Sequence, residues 1–199
     1  MRFLHTADWH IGKKLQGYDR IKEQEHVLTQ ILAIAKEENV DAIVIAGDLY
    51  DRSVPSVDAI EVFNQLMVEW NLREGFPIFA ISGNHDSGIR LSTGTPWFSQ
   101  SDYYLQTRLP EAFQPIIFKD TQFFLLPYFE PISARIYFED EQIRTIQQAM
   151  EKVIEKMKTQ FDSTKKQVLV SHFFVTGSMK SDSETKIEVG GLDAVPGDL

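Results

Sequence analysis

The chain has 199 residues, which is enough for one domain with a sizeable hydrophobic core. It contains no cysteine, and this excludes disulfides, thiolate metal ligands and cysteine nucleophiles. The net charge of −9 argues against a surface that binds nucleic acid throughout, and the sequence has neither a signal-peptide pattern nor an apolar run long enough to span a membrane. A cytoplasmic enzyme is therefore expected.

Short apolar runs alternate with amphipathic stretches in the first half of the chain, which predicts strands that alternate with helices. The expected elements are a strand over 2–6, a helix over 20–38, a central parallel strand over 42–46, a helix after Pro55 and a strand over 77–81. The second helix is expected to bury six apolar side chains, namely Val57, Ile60, Phe63, Leu66, Met67 and Trp70.

The second half of the chain changes in character. Short β-rich pieces over 115–118 and 122–126 flank Lys119, Asp120 and Thr121, which are typical of a hairpin turn. A long helix over about 140–161 and a buried strand over 167–171 follow. Residues 176–199 are rich in Ser, Gly, Asp and Pro and predict no regular element.

Polar residues follow four of the predicted strands. They are Asp8 and His10, then Asp48, then Asn84 and His85, and finally His172. Because ligands of open α/β sheets bind beyond the carboxyl ends of the strands, these positions predict one shared site.

The residue types at these positions suit metal ions. Asp8 and His10 are two residues apart, so an extended backbone would point both side chains the same way. Carboxylate, imidazole and amide ligands suit Mn²⁺, Fe²⁺ or Zn²⁺. A carboxylate such as Asp48 can bridge two ions about 3.5–4 Å apart, and Gly47 and Gly83 would permit tight turns beside the ligands.

Each of these residues also has a simpler interpretation when it is taken alone. Asp48 could cap the following helix, Asn84 could cap a turn, and His172 could be a hydrogen-bonded core histidine. The metal hypothesis depends on their combination. Of the other histidines, His26 is expected to be structural, and His5 is expected to be buried or to support a ligand.

Four motifs in this order resemble those of the calcineurin-like metallophosphoesterases: Asp8-x-His10, Gly47-Asp48-x-x-Asp51, Gly83-Asn84-His85-Asp86 and the later His172. The longer segments are more similar to the SbcD/Mre11 nucleases, above all to their bacterial SbcD branch. These segments are residues 5–12, 47–51, 83–87 and Gly190-Gly191-Leu192-Asp193.

This resemblance implies a four-layer αββα sandwich of the α/β class with two Mn²⁺ ions at one end. Asp8, His10 and Asp48 would hold one ion, and Asp48, Asn84 and His172 the other. His85 would protonate the leaving oxygen or stabilise the transition state. Asp51, which is His in some relatives, has no assigned role.

The resemblance also implies an activity and partners. Family members cut DNA as 3′-to-5′ exonucleases on duplex ends and as endonucleases on single strands and hairpins, in DNA repair and recombination. They work with an SbcC/Rad50-type ABC ATPase and form homodimers, here through the helix after Pro55 and the segment over 91–98. A Gly-His-x-His motif, a capping region and an ATPase-binding segment are also implied, but are not in this sequence. Residues 1–199 are therefore expected to be an N-terminal nuclease domain, incomplete at its C-terminus and impaired in activity.

Basic residues near the motifs are candidate DNA contacts, with a solvated surface as the alternative. They are Lys13, Lys14, Arg20, Lys22, Arg52 and Arg90. Two other functions stay open: a phosphatase or cyclic-nucleotide phosphodiesterase with the same ligands, and a non-catalytic dimerisation or binding fragment. The context of Trp9 and Ser87 favours the nuclease.

Overall fold

The computed structural model describes residues 1–175 and 194–197. The strands are β1 Phe3–Thr6, β2 Lys14–Leu15, β3 Tyr18–Asp19, β4 Ala42–Ala46, β5 Ile78–Ile81, β6 Tyr103–Gln106, β7 Ile116–Phe118, β8 Thr121–Leu126 and β9 Lys166–Ser171. The α-helices are α1 Ile21–Glu37, α2 Val57–Met67, α3 Gly88–Leu91, α4 Thr95–Phe98, α5 Pro131–Phe138 and α6 Ile146–Lys158. The segment Gly190–Asp193, which contributed to the resemblance, lies outside the described residues.

A four-stranded parallel sheet has the order β1-β4-β5-β6. Strand β4 lies between β1 and β5, and all five of its residues are buried. A run that is apolar on both faces suits this place, because helices or a second sheet cover both sides of it. The prediction of a central parallel strand is confirmed.

A second sheet has the order β7-β8-β9. Strands β7 and β8 form an antiparallel hairpin, and β9 runs parallel to β8. The turn is confirmed, although Thr121 already belongs to β8. The prediction that β9 is buried is wrong, because only Val170 of this strand is buried. In the described part of the chain, β9 has a neighbouring strand on one side alone.

The two sheets pack face to face, and helices cover both outer faces. The rings of Phe79 and Phe123 stack between the sheets with 4.3 Å between their centroids. On one outer face, α1 and α2 pack around Trp9 and Trp70. On the other, α5 and α6 pack around Phe124. The layers therefore follow the order helix, sheet, sheet, helix, which confirms the predicted αββα fold.

The helix predicted over 140–161 is shorter than expected. Thr145 is extended, and its side chain accepts a hydrogen bond from the Gln148 amide, so α6 begins at Ile146. The Gln148 side chain in turn accepts from the Thr145 amide. This reciprocal capping box fixes the start of the helix, while Glu139 adopts a left-handed conformation that ends α5.

The buried face of α2 also differs from the prediction. Phe63, Leu66 and Met67 are buried, but Val57 is 70% exposed and Ile60 is 40% exposed. Helix α2 continues into a π-helix, Val68–Arg73, which buries Trp70. No helix in the described ranges is both long and apolar enough to cross a membrane.

Candidate metal centre

The loops after β1 and β4 run side by side at the carboxyl edge of the parallel sheet. The Asp8 amide donates to the Gly47 carbonyl at 3.1 Å, and the His10 amide donates to the Asp48 carbonyl at 2.9 Å. Asp8, His10 and Asp48 have φ angles of 55°, 44° and 50°. A left-handed conformation costs a residue other than glycine about 1–2 kcal/mol. Such strain is typical of functional sites.

Asp8, His10 and Asp48 form the first cluster of candidate ligands, and one ligand atom of each lies within 4.8 Å of the others. His10 Nε2 is 3.7 Å from Asp8 Oδ1 and 3.5 Å from Asp48 Oδ2. The Asp48 side chain is 3% exposed, whereas that of Asp8 is 60% exposed. The cluster therefore has a buried side at Asp48 and an open side at Asp8.

His172 and Asn84 lie on the other side of Asp48. His172 Nε2 is 3.4 Å from Asp48 Oδ2 and 3.1 Å from Asn84 Oδ1. His172 Nδ1 lies 2.7 Å from the Ala46 carbonyl oxygen, to which it donates. A metal-binding histidine usually donates one ring N–H to a carbonyl or carboxylate and leaves the other nitrogen for the ion, and the Nδ1 bond of His172 fits this arrangement.

Neighbouring histidines favour the ionised forms of Asp8 and Asp48. The His10 imidazole beside Asp8 lowers the pKa of this carboxyl group. Burial acts to raise the pKa of Asp48, but hydrogen bonds from His172 and from the His85 amide outweigh it, so this pKa lies below its ordinary value. Burial alone would lower the pKa of His172, yet its hydrogen bond to Asp48 raises it. A cation at this edge would take the place of the proton that His172 shares with Asp48.

His85 lies against the first cluster and is held at two points. Its amide donates to Asp48 Oδ1 at 2.9 Å, and its Nδ1 donates to the Asp51 carbonyl at 2.9 Å. Its ring packs edge-on against His10, with 4.7 Å between the centroids. These contacts fix the ring and leave Nε2 as the nitrogen without a hydrogen bond in the described part of the chain.

His10 carries a buried nitrogen that has no hydrogen bond among the described residues. This atom is Nδ1, and Asp51 Oδ1 is 3.6 Å away, beyond normal hydrogen-bonding distance. One ligand atom each of His10, Asp51 and His85 also lies within 4.8 Å of the others. An unpaired buried nitrogen is costly in a merely structural cluster. The carboxylates and imidazoles around Asp48 are donors that divalent cations bind, so the donor set fits a cation.

Asp86 is a residue of the site to which the sequence interpretation gave no role. Its carboxylate accepts hydrogen bonds from the amides of Leu49 at 3.0 Å, Tyr50 at 3.0 Å and Gly83 at 2.9 Å. Burial raises the pKa of Asp86, although these amides oppose the shift. Asp86 therefore ties the loop after β4 to the loop after β5. The position of Asp86 in the Gly-Asn-His-Asp motif is the sequence feature that could have identified this residue.

Two glycines permit the close approach of these loops. A Cβ at Gly47 would lie 2.5 Å from His172 Nδ1, and a Cβ at Gly83 would lie 2.1 Å from Asp48 Oδ1. Both distances are far below van der Waals contact. Glycine at these two positions therefore leaves the space that His172 and Asp48 occupy.

The remaining sequence candidates lie on the surface. Lys13, Lys14, Lys22 and Arg90 are exposed, as are Arg20, which is 3.7 Å from Glu23, and Arg52, which is 3.7 Å from Asp51. Their contacts with DNA stay a prediction. His5 is exposed, so the expectation that it is buried is wrong. It lies in β1, on the outer edge of the parallel sheet, where the described residues leave it open to solvent.

Comparison with known proteins gives a family and two named relatives. The family model described as calcineurin-like phosphoesterase matches residues 1–195. The SbcD subunit of nuclease SbcCD from Staphylococcus epidermidis is 40% identical over 195 residues, which cover 98% of this chain and 52% of the relative. The protein of the same name from Staphylococcus saprophyticus subsp. saprophyticus is 36% identical over 199 residues, covering 100% of this chain and 53% of the relative. The chain thus spans about half the length of the curated relatives it matches.

Proposed function

Because this chain belongs to the calcineurin-like phosphoesterase family, we propose that it is a Mn²⁺-dependent DNA nuclease subunit of the SbcD type. The observation that carries the proposal is the convergence of two ligand clusters on the shared carboxylate of Asp48. The similarity to two proteins named as part of nuclease SbcCD supports DNA as the substrate, over single phosphate esters.

Five residues would hold the metal ions. Asp8, His10 and Asp48 would bind one ion, and Asp48, Asn84 and His172 would bind the other. Hard oxygens and imidazole nitrogens without a thiolate suit Mn²⁺. When bound, such a pair activates water and neutralises charge on the phosphodiester.

His85 would act on the leaving oxygen. Its amide and Nδ1 are both held by neighbouring loops, so the ring has one orientation, with Nε2 free to face a substrate. As an imidazolium, with a proton on each ring nitrogen, His85 can give its Nε2 proton to the 3′ oxygen as it leaves, or stabilise the charge that develops on that oxygen. Because it binds no ion in this assignment, His85 is separable from metal capture.

The hairpin of β2 and β3 supports the predicted DNA path. Strand β2 begins at Lys14, shortly after His10, and Lys13 immediately precedes it; both lysines are exposed. Leu15 and Tyr18 oppose each other across the hairpin and are 58% and 74% exposed. Basic side chains beside an exposed aromatic ring are the combination that contacts phosphates and unstacked bases. We propose that Arg20, Arg52 and Arg90 extend this basic path.

The name of the two relatives also suggests a partner. A protein named as one component of SbcCD assembles with a second component, and we propose that this chain likewise works with an SbcC/Rad50-type ABC ATPase. We propose that this activity takes place in the cytoplasm, where DNA and such an ATPase would be available.

A cleavage assay in Mn²⁺ tests the nuclease assignment. The rates on duplex and hairpin DNA are compared with those on p-nitrophenyl phosphate and on a cyclic nucleotide. We expect a strong preference for DNA. A preference for the small esters would reverse the assignment to a phosphatase or phosphodiesterase. Retained Mn²⁺ binding without hydrolysis of any substrate would favour a non-catalytic binding module.

A further inference from the structure

Gln24, near the start of α1, contacts the metal-binding loop after β1 at three points. Its Nε2 donates to the carbonyl oxygens of Trp9 at 3.0 Å and His10 at 2.7 Å. Its Oε1 accepts from the Gly12 amide at 3.0 Å. One partly buried side-chain amide therefore spans the whole turn that carries His10.

The loop needs these contacts because it is neither strand nor helix. Asp8 and His10 both have positive φ angles, which turn successive peptide groups in opposite directions. The amides of Asp8, His10 and Ile11 are taken by the loop after β4. The carbonyls of Trp9 and His10 point the other way, towards α1, where Gln24 receives them. The His10 carbonyl also accepts the Lys13 amide at 3.0 Å. Among the described residues, the Trp9 carbonyl and the Gly12 amide bond to Gln24 alone, and leaving them without a partner would disfavour this conformation.

We propose that Gln24 is a positioning residue for the metal centre. It holds the peptide on either side of His10 in the left-handed conformation that directs Nε2 towards Asp8 and Asp48. This inference rests on the metal centre of the proposed function, and not on the identity of the substrate.

The chemistry of the position favours glutamine over its closest alternatives. Two carbonyl oxygens require N–H donors, and one amide requires an acceptor, which a neutral side-chain amide supplies in one plane. Glutamate would keep the acceptor but would place a carboxylate oxygen against two carbonyl oxygens. Leucine would keep the volume and remove all three hydrogen bonds.

Amide hydrogen exchange of the metal-free protein tests whether Gln24 holds the loop. Gln24→Leu should speed exchange across residues 8–13 by about tenfold, as expected for lost hydrogen bonds that stabilise one local conformation. Gln30→Leu is the matched control, because Gln30 lies exposed on the same helix and, among the described residues, its side chain hydrogen-bonds to the His26 ring and not to the loop. It should leave exchange in the loop unchanged. Equal protection in wild type and Gln24→Leu would overturn the proposal.

Calorimetric titration with Mn²⁺ tests whether the hydrogen bonds of Gln24 increase the affinity for the ion. Gln24→Leu should weaken binding by about 10–100-fold, the usual cost of losing a group that orients a ligand, and Gln30→Leu should not. Gln24→Glu gives the sharper result. Its added negative charge would tighten cation binding if the loop were undisturbed, whereas loss of the two donated hydrogen bonds predicts weaker binding.

The two readouts separate the possible failures. Unchanged or tighter Mn²⁺ binding by Gln24→Glu, with wild-type binding intact, would overturn the positioning role. If the wild type binds no Mn²⁺, the metal-centre proposal fails, and the positioning role fails with it. Thermal unfolding of each metal-free variant identifies any global loss of the fold.

Discussion

At the residue scale, Asp48 joins the two halves of the proposed centre. Its carboxylate is 3.5 Å from His10 Nε2 and 3.4 Å from His172 Nε2, and it accepts the His85 amide. The side chain is almost fully buried, so its charge depends on these partners and on any bound cation. Asp8 is more exposed and lies at the open side of the same cluster.

Gly47→Ala tests whether the tight packing at this carboxylate matters for metal capture. The new methyl group would meet the His172 ring, so we expect Mn²⁺ affinity to fall by roughly 10–100-fold. The positive φ of 85° should also cost about 1–2 kcal/mol of folding free energy. Calorimetry with Mn²⁺ and urea unfolding measure the two effects.

Gly17→Ala is the matched control for this change. Gly17 has a φ of 86°, but nothing lies within 4 Å of its added Cβ. The control should therefore lose similar folding free energy and keep its Mn²⁺ affinity. Equal Mn²⁺ affinities for the two variants would contradict the close approach of Gly47 to His172.

His85→Asn separates catalysis from metal capture. The variant loses the imidazole but no proposed metal ligand, so DNA cleavage should fall by about 10²–10⁴-fold while Mn²⁺ affinity is retained. Cleavage rates and calorimetry on the same protein sample measure both. Wild-type cleavage by this variant would remove His85 from the mechanism.

That Asp8, Asp48, Asn84 and His172 lie together could be predicted from sequence, because each closely follows an apolar strand. The role of Gln24 could not be predicted, since this residue lies on a helix. Its side chain binds backbone atoms of the loop, and such contacts produce no recognisable sequence motif. The φ angles of Asp8 and His10 were also inaccessible, because an extended Asp-x-His was the simplest interpretation of the spacing.

At the element scale, the existence of the helices was easier to predict than their ends or buried faces. Helix α2 has apolar residues on more than one side, and the side that is buried depends on where Trp9 and Tyr50 of other elements lie. Val57 and Ile60 therefore looked like core residues but are exposed. The start of α6 was missed because apolar spacing continues upstream of the cap at Thr145.

The exposed apolar residues of α2, α3 and α4 support the predicted homodimer. Val57 is 70%, Ile89 68% and Trp97 73% exposed, and side chains of this size are typical of interface residues. We propose that a second copy of the chain covers this surface.

Val57→Glu tests the dimer by sedimentation across micromolar concentrations. Glutamate at the first position of α2 suits the helix N-terminus, so the fold should persist while the dimer dissociates. Val27→Glu, on the 51% exposed Val27 of α1, is the control and should stay dimeric. A wild type that is monomeric throughout would rule out this surface as a stable self-association site.

At the scale of the whole molecule, the two sheets are also joined at the edge opposite the metal centre. Lys119 of the β7–β8 turn pairs with Asp41, which precedes β4, and the Arg2 amide donates to the same carboxylate at 2.8 Å. Hydrogen bonds from Lys119 and from the Arg2 amide lower the pKa of Asp41. A group with a lowered folded-state pKa stabilises the fold above its unfolded pKa, and this contribution is lost as pH falls through the folded value.

Asp41→Asn should therefore lower the melting temperature slightly at neutral pH, because the pair is exposed and its contribution is small. The difference from wild type should shrink as pH falls below about 4. Differential scanning calorimetry of the metal-free protein measures it. Glu61→Gln is the control, since Glu61 of α2 is exposed and has no ion pair in the described ranges. A melting-temperature difference between wild type and Asp41→Asn that grows as the pH falls would contradict a stabilising role of the ionised Asp41 carboxylate.

The layer order could be predicted from the resemblance, whereas the environment of β9 could not. An edge strand and a central strand can have the same apolar composition, so the neighbouring elements decide whether the strand is buried. In the described part of the chain, β9 borders one strand, and this explains why it is only partly buried.

The most direct test of the central claim is a calorimetric titration of Mn²⁺ into this chain and into its Asp48→Asn variant. A cation centre built around the Asp48 carboxylate predicts Mn²⁺ binding by the wild type and its loss in the variant, which keeps the shape of the side chain but not its charge. Equal binding by both proteins, or no binding by the wild type, would contradict a metal centre at this position.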